Sequence, residues 1–452
     1  MAFGAGVLLV VLAPLIRGGN RGVALIGLEW LALLVLAGVQ GGLREAWDSG
    51  WRRWALALLM TSPLWLGALH LVPLPPGWWA ALPGRSPYAG MLDSLGLAGG
   101  AWQPLSLTPD ATWASVLAGI PVLACLWLGL AAGQRQLHWL LRLWLLGALL
   151  QALLGLAQLG PFPALHAGSL FKGVIGTFAN SNHLASFLAM CLPLVVWQWR
   201  RSVDVQGNHE PNRDARGWLW AVVGFVLLLA VLAGQSRAGL GTALLATAGA
   251  VLLMPGSALR RWTLRWRVGV LALALLGGLA TVGTEGLRRF EGQTLESDAS
   301  MRQQNFAATA RAAAAFWPAG SGMGSFAAVF PRFQPAVAEG GFVEHAHSDY
   351  VQLLMEGGLP TALLMALALA LLVTRALQLA GRLAQGRLQA DEQRALAAGF
   401  GLLALLLHAW VDFNLRIPAL AMLGAFLAGI FLRPLPPAAH MSARQARTGR
   451  RP

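Results

Sequence analysis

Residues 344–374, EHAHSDYVQLLMEGGLPTALLMALALALLVT, set a titratable cluster directly against a run with no charge from Gly357 to Thr374. A helix rises ~1.5 Å per residue, so such a run covers most of the ~30 Å hydrocarbon layer of a bilayer. Apolar blocks of similar length recur at 2–16, 22–39, 54–72, 112–132, 137–160, 178–199, 217–234, 238–254, 266–283, 358–374, 395–411 and 417–432. The short alternating strands of a membrane β-barrel are not the pattern. Composition agrees: 56% of the 452 residues are hydrophobic and 12% charged, with a mean hydropathy of +0.59. The expected fold is an all-α polytopic membrane protein with about twelve transmembrane helices.

The net charge of +14 is explained by topology. With the N-terminus in the cytoplasm, the loops on that side carry Arg44, Arg52, Arg53, Arg135, Arg200, Arg201, Arg260, Arg261, Arg375, Arg382, Arg387 and Arg394, and the tail adds Arg433 to Arg451. That asymmetry is the positive-inside rule and places both termini in the cytoplasm. No nucleic-acid partner is expected, although the tail ends in a basic run, RQARTGRR. The first span lacks a basic n-region and a clear cleavage site, and is read as retained. Trp51, Trp54, Trp197 and Trp199 fall at span ends, where amphipathic rings gather. Cys125 and Cys191 lie inside spans as small packing residues.

The divisions follow. Residues 1–283 hold nine spans and the Pro/Gly-rich outer loop 73–111; 284–357 form a large, partly helical outer loop; 358–432 hold the last three spans; 433–452 are the basic tail. The large loop carries most of the outer charge and is the expected place of an active site. Within it, 300–317 is alanine-rich and helix-favouring. PAGSGMGSF, 318–326, is a turn; no strand precedes it and no GK[ST] follows, which argues against a nucleotide loop.

Four clusters carry candidate chemistry. His345 and His347 share a face if the segment is extended, but not in a helix. HAHSD is like the HxHxD of binuclear metal hydrolases, yet further ligands would have to come from few outer histidines: His70, His166, His183 and His408. Ser348 or Asp349 suits the N-cap of the next helix. A histidine at the membrane lip also suits taking a proton from a hydroxyl. Second, Arg237 in GQSRAGL, Arg302, Lys172 and Arg416 are isolated outer cations. Each alone fits snorkelling at a helix end; together they suit an anionic ligand such as pyrophosphate, which arginine forks grip well. Third, Asn180, Asn182 and His183 open a span in GTFANSNHLASFL, where amides cap helices or bind sugar and phosphate oxygens. Fourth, Asp412 in HAWVDFNLRIPA ends a span, placed to orient a histidine or to pair with Arg416.

GTFANSNHLASFL, SRAGL, Arg302 with PAGSGMGSF, and EHAHSDYVQLLMEGGLP stand in the order found in the O-antigen ligase-like superfamily. PLSLTPDATW, 104–113, is also similar to a segment of that group. The likeness covers residues from about 100 to 420. It implies a GT-C-like glycosyltransferase of the bacterial inner membrane, metal-independent and inverting, with no cofactor and a periplasmic active site. The implied donor is a glycan on undecaprenyl pyrophosphate; the implied acceptor is lipid A–core or another glycan, met among membrane lipids. By the same resemblance His347 is the catalytic base, with His345 beside it, and Arg237 and Arg302 hold the pyrophosphate. Here Ser348 follows His347 where the family usually has Asn.

The family includes ligases, Wzy-type polymerases and protein O-oligosaccharyltransferases, all needing the same base and anion site; the ligase is the leading expectation. A transporter of the same lipid-linked glycan would show intramembrane charges and repeated halves. Only Glu29, Arg142 and Glu356 lie within or beside spans, and no repeated halves are visible. A purely structural scaffold is the remaining alternative.

Overall fold

The computed structural model describes residues 2–20, 22–38, 51–97, 101–160, 173–203, 212–254, 294–334 and 342–433. The expected span 266–283, the tail from 434 and Lys172 lie outside the described residues, as does the side chain of Arg302. The chain is mostly helical. Its helices are α1 (Ala2–Leu12), α2 (Gly22–Gly38), α3 (Trp51–Met60), α4 (Ser62–Leu71), α5 (Pro76–Ala81), α6 (Ser86–Ser94), α7 (Pro109–Ala131) and α8 (Gln134–Ala157). They continue as α9 (Ser181–Val203), α10 (Asn212–Ala233), α11 (Arg237–Leu253), α12 (Thr294–Ala315), α13 (Phe326–Val329), α14 (Asp349–Ala384), α15 (Ala390–His408) and α16 (Pro418–Leu432). Two residue pairs, Pro73–Leu74 and Gln103–Pro104, form an antiparallel β1–β2 clasp that closes the first outer loop.

Among the described residues, α7, α8 and α14 are each long and apolar enough to cross a membrane, and the bent pair α3–α4 makes a fourth if taken as one span. Where sequence suggested one span over 54–72, the helix breaks by 59°. Pro63 lacks an N–H and its ring crowds the carbonyl one turn back. Carbonyls at the break take side-chain donors: Trp65 Nε1 donates to Leu58 O at 3.1 Å and Ser62 Oγ to Leu59 O at 2.7 Å, while Thr61 Oγ1 adds a bond to Ala57 O at 2.8 Å.

One hydrophobic core joins α1, α2, α7 to α11, α15 and α16. Helices α7 and α16 cross backbone to backbone at Gly129 and Gly429, where a Cβ on Gly129 would meet the Gly429 Cα at 2.9 Å. Small residues permit that approach where no hydrophobic effect drives helices together. At one end of the bundle arginines hold the ends of helices. Arg394 donates to Gln134 Oε1 at 2.8 Å, Arg433 to Ala132 O at 2.6 Å, and Arg375 to Phe431 O at 2.8 Å. The starts of α9, α11 and α14 and the end of α15 lie at the other end. There a second core of Ala308, Ala312, Phe316, Phe326, Phe330 and Ala346, among others, ties α12 to the segment before α14.

Helix α14 is broken at Gly358 (φ 58°, ψ −145°). The break releases carbonyls of the preceding turn, and the PAGSGMGSF loop takes them up. Ser321 N donates to Met355 O at 3.0 Å and Gly322 N to Glu356 O at 2.8 Å, while Leu359 N returns to Pro318 O at 2.9 Å. The glycine-rich segment is thus the mate of a broken membrane helix. PLSLTPDATW backs it: Leu107 N donates to Ser321 O at 2.9 Å and Thr112 Oγ1 to Met323 O at 2.9 Å.

A Cβ at Gly358 would collide with the Pro318 carbonyl and sit in a glycine-only backbone region. Gly358→Ala is expected to destabilise the fold by at least ~1–3 kcal/mol. Gly381→Ala, on the same helix with open space around it, should leave the melting temperature in detergent unchanged or raise it. Equal melting of both variants would show that the break is not held as described.

Candidate active site

The HAH segment is extended, so its alternation has consequences. Ala346 points into the outer core and is fully buried, whereas His345 and His347 turn to the other side and meet the same ring. Phe413 has His345 at 4.5 Å, His347 at 5.2 Å and His183 at 4.9 Å between ring centroids. Three imidazoles, two from the HAH segment and one from α9, therefore surround one aromatic side chain. His347 itself sits at φ 54°, a left-handed conformation that costs a non-glycine residue roughly 1 kcal/mol or more and often marks a functional position.

Behind His347 lies Asp412, with Nδ1 3.5 Å from Oδ1. The carboxylate is buried and the histidine side chain is 28% exposed. Asp412 Oδ1 also accepts from Phe413 N at 2.9 Å. Burial alone pushes this carboxyl up, but His347, His183, His408 and the Phe413 N–H outweigh it and hold the group well below the usual carboxylate range.

Arg416 points elsewhere. Its Nη2 donates to Glu356 Oε2 at 2.6 Å, so its pairing partner is Glu356 and not Asp412. Burial loosens its proton, but Glu356 and Asp349 override that and raise the guanidinium above its ordinary value. Glu356 is fully buried and accepts further from Gln352 Nε2 at 3.1 Å and Phe326 N at 3.3 Å. Gln352 in turn accepts from Ala346 N at 3.0 Å through Oε1, and its Nε2 lies 3.5 Å from His345 Nδ1. His345 is pushed down to about 4, first by burial and then by the Arg416 cation, against the pull of Glu356.

Ser348 stands at the N-cap position of α14 but makes no capping bond. The helix start is anchored instead by Asp349, whose N–H donates to Ala409 O at 3.0 Å and whose Oδ2 accepts from Leu415 N at 2.8 Å. Asn180 does cap: its Oδ1 accepts from Asn182 N at 2.9 Å at the start of α9. Asn182 is half-buried beside it. The loop ahead of Asn180 is gripped by two buried glutamines at the end of α8. Gln158 Oε1 accepts from Ile175 N and Gly176 N at 3.0 and 2.9 Å, and Gln151 Oε1 accepts from Thr177 N at 2.8 Å.

Arg237 opens α11, whose first turn is capped by Ser236 accepting from Gly239 N at 3.2 Å. Gly239 abuts Ala185, so Arg237 shares the His183 end of the bundle. It has no ionic or hydrogen-bonding partner among the described residues. The structure thus gathers His345, His347, Asp412 and Arg416 around Phe413, with Asn180, Asn182 and Arg237 at the same end. Among the described residues no group of three or more His, Cys, Asp and Glu side chains is arranged to hold a metal.

Sequence reasoning missed Phe413, Gln352 and the anchoring part of Asp349, and treated Glu356 only as an ionisable residue beside a span. The i, i+4 spacing of Gln352 and Glu356 was the available signal. It also missed Arg85, buried in the first outer loop, which donates to Gly320 O at 3.1 Å and lies over the Trp79 and Phe316 rings. A largely apolar cavity of about 310 Å³ opens below the glycine loop, lined by Leu66, Val116, Met323, Leu353, Thr361 and Leu364 among others.

Residues 222–366 match the O-antigen ligase family, Wzy_C. This bears out the resemblance drawn from the motifs. The match spans SRAGL, α12, the glycine loop, HAH and the helix break; Asn180, Asn182, Asp412 and Arg416 lie outside it. No curated protein matches the chain. The family points to a membrane glycosyltransferase of ligase or polymerase type.

Two groups at the site make stability fall toward acid, while Asp349, whose carboxyl burial pushes up to about 7, works in the opposite direction. His345 takes up its proton near 6.5 when unfolded but only near about 4 when folded, and Asp412 is likewise harder to protonate in the folded chain. In both cases the unfolded chain binds the proton first, so stability falls as pH drops below ~6.5. Thermal melts between pH 7 and pH 4 should show that decline, and His345→Gln should flatten its upper part. A pH profile left unchanged by His345→Gln would contradict the burial of His345.

Proposed function

We propose that this protein moves a glycan from undecaprenyl pyrophosphate to an acceptor hydroxyl at the periplasmic face of a bacterial inner membrane. The leading acceptor is lipid A–core, which makes the enzyme an O-antigen ligase. The observation that carries the reading is His347, held at a positive φ with a buried carboxylate at Nδ1, inside the matched segment. An imidazole backed in this way keeps its Nε2 lone pair free for a proton, the arrangement of a general base.

In the proposed reaction the acceptor hydroxyl gives its proton to His347 Nε2. Its oxygen forms a bond to the anomeric carbon from the face opposite the leaving group. The carbon–oxygen bond to the pyrophosphate breaks, and the electron pair leaves on the phosphate oxygen. Attack and departure on opposite faces invert the anomeric centre. Arg237, whose guanidinium has no partner among the described residues, is the leading pyrophosphate ligand, joined by Arg302 and Lys172. Arg416 donates through Nη2 to Glu356, so its part is to set the local charge and to offer its remaining donors. Asn180 serves chiefly as a helix cap, with Asn182 supporting it. Fixed cations that meet the negative charge developing on the leaving group usually contribute most to the acceleration of such transfers. The apolar cavity beneath the glycine loop suits a lipid tail. We further propose about twelve spans of GT-C-like arrangement with both termini cytoplasmic, and chemistry that needs no metal or cofactor.

His347→Ala should lower transfer by roughly 10²–10⁴-fold with membrane insertion intact; retained activity removes the base assignment. Arg237→Lys should be nearly as damaging as Arg237→Ala, because lysine offers a point charge and not a fork. The deciding assay gives purified protein the lipid-linked glycan with lipid A–core, or with no other acceptor. Product on lipid A–core identifies a ligase and chain lengthening alone a polymerase. No transfer in either tube sinks the reading, and a strict metal requirement in EDTA-treated enzyme revives the HxHxD alternative.

A further inference from the structure

The two histidines of the HAH segment face the same ring, but their Nδ1 atoms face opposite kinds of partner. His347 Nδ1 meets a carboxylate oxygen of Asp412 at 3.5 Å. A carboxylate only accepts, so the proton sits on Nδ1 and Nε2 is bare. His345 Nδ1 meets the amide nitrogen of Gln352 at 3.5 Å. That amide cannot be turned round. Its Oε1 accepts from the Ala346 N–H at 3.0 Å, and a backbone N–H only donates. Its Nε2 faces Glu356 Oε1 at 3.1 Å, and that carboxylate is committed as an anion to Arg416. The second Nε2 hydrogen therefore points at His345 Nδ1, which must accept, and the His345 proton moves to Nε2.

We propose that the two histidines work in opposite tautomers: His347 accepts a proton at Nε2, while His345 donates a hydrogen bond from a neutral Nε2–H. Gln352, locked by Glu356, is the positioning residue that sets the second tautomer. The inference rests on the glycosyl-transfer reading for the use made of that donor. A displacement at carbon needs a base for the entering hydroxyl and donors for the departing oxygen. With the base role taken by His347, His345 packs on the same Phe413 ring and offers its N–H to the oxygen on which the pyrophosphate's electron pair leaves. It gives a hydrogen bond there and keeps its proton. The charged and titratable groups facing His345 are Arg416, Glu356, His347 and His183. Burial keeps His345 neutral among them, which is what a donor of this kind requires.

The test uses the full-length protein in nanodiscs with 15N-labelled histidine. His345 is identified by the signals lost in His345→Gln among the nine histidines of the chain. At pH 7 the expected spectrum shows His345 with bare Nδ1 and protonated Nε2, and His347, assigned in the same way, with the reverse. In Gln352→Met, His345 should become a mixture of tautomers while the signals of His347 persist. A protonated Nδ1 on His345 in the wild type overturns the proposal, as does a single unchanged tautomer in Gln352→Met. In the transfer assay, His345→Gln keeps an N–H near the Nε2 position and should stay within about 10-fold of wild type. His345→Ala should lose about 10²-fold, the scale of one lost transition-state donor. Equal loss in both variants overturns the donor role. If the tautomers are as stated but the wild type transfers nothing, the functional reading and the donor role fall together, and the Gln352 assignment stands on the spectra.

Discussion

A carboxylate with no exposure to water must be given partners, and the arrangement around Glu356 follows from that requirement. A buried charge left without compensation costs several kcal/mol. Glu356 collects its compensation from three places: Arg416 in the turn between α15 and α16, Phe326 N at the end of the glycine loop, and Gln352 one turn earlier on α14. Each partner belongs to a different stretch of chain. Satisfying one carboxylate thereby fixes the relative positions of the last inter-helix turn, the outer loop and the start of α14. Through Gln352 the same requirement reaches Ala346 and the two histidines that flank it.

The broken helix works by the same logic applied to the backbone. A helix interrupted near a membrane exposes carbonyls that neither lipid nor apolar side chains can satisfy. The glycine loop brings N–H groups to those carbonyls, and PLSLTPDATW holds the loop from behind. Asp349 and the Phe413 turn complete the arrangement from the other side. The first outer loop, the glycine loop, the HAH segment and the last inter-helix turn are each bonded, directly or through one neighbour, to the turn Met355–Gly358.

The gross architecture was legible because hydropathy and helix length are local properties of sequence. Apolar blocks became helices within a few residues at nearly every described position, and the pairing of His345 with His347 on one face followed from extended geometry. The break at Thr61 was also written in Ser62–Pro63, but the apolar run masked it. The partner of Arg416 was not legible, whereas Asp412 was read as placed either to orient a histidine or to pair with Arg416. Both lie in one short turn. Tertiary packing instead gave Arg416 the distant carboxylate of Glu356, and gave Asp412 the imidazole of His347. Gln151 and Gln158 were hidden for a related reason: a glutamine inside an apolar helix carries no local sign of which loop it will hold. Phe413 looked like one more apolar residue until three histidines converged on it.

The turn from Ala409 to Ile417 supplies Asp412, Phe413, the Leu415 N–H and Arg416, and it is made late in the chain. During synthesis α9, α11, the outer loop and α14 are already made before this turn exists. Until then Glu356 lacks its cation, His347 lacks its carboxylate, and the three imidazoles have no ring to gather on. The order of synthesis is therefore also an order of assembly: until this turn is made and packed, the chain holds no complete arrangement of these groups.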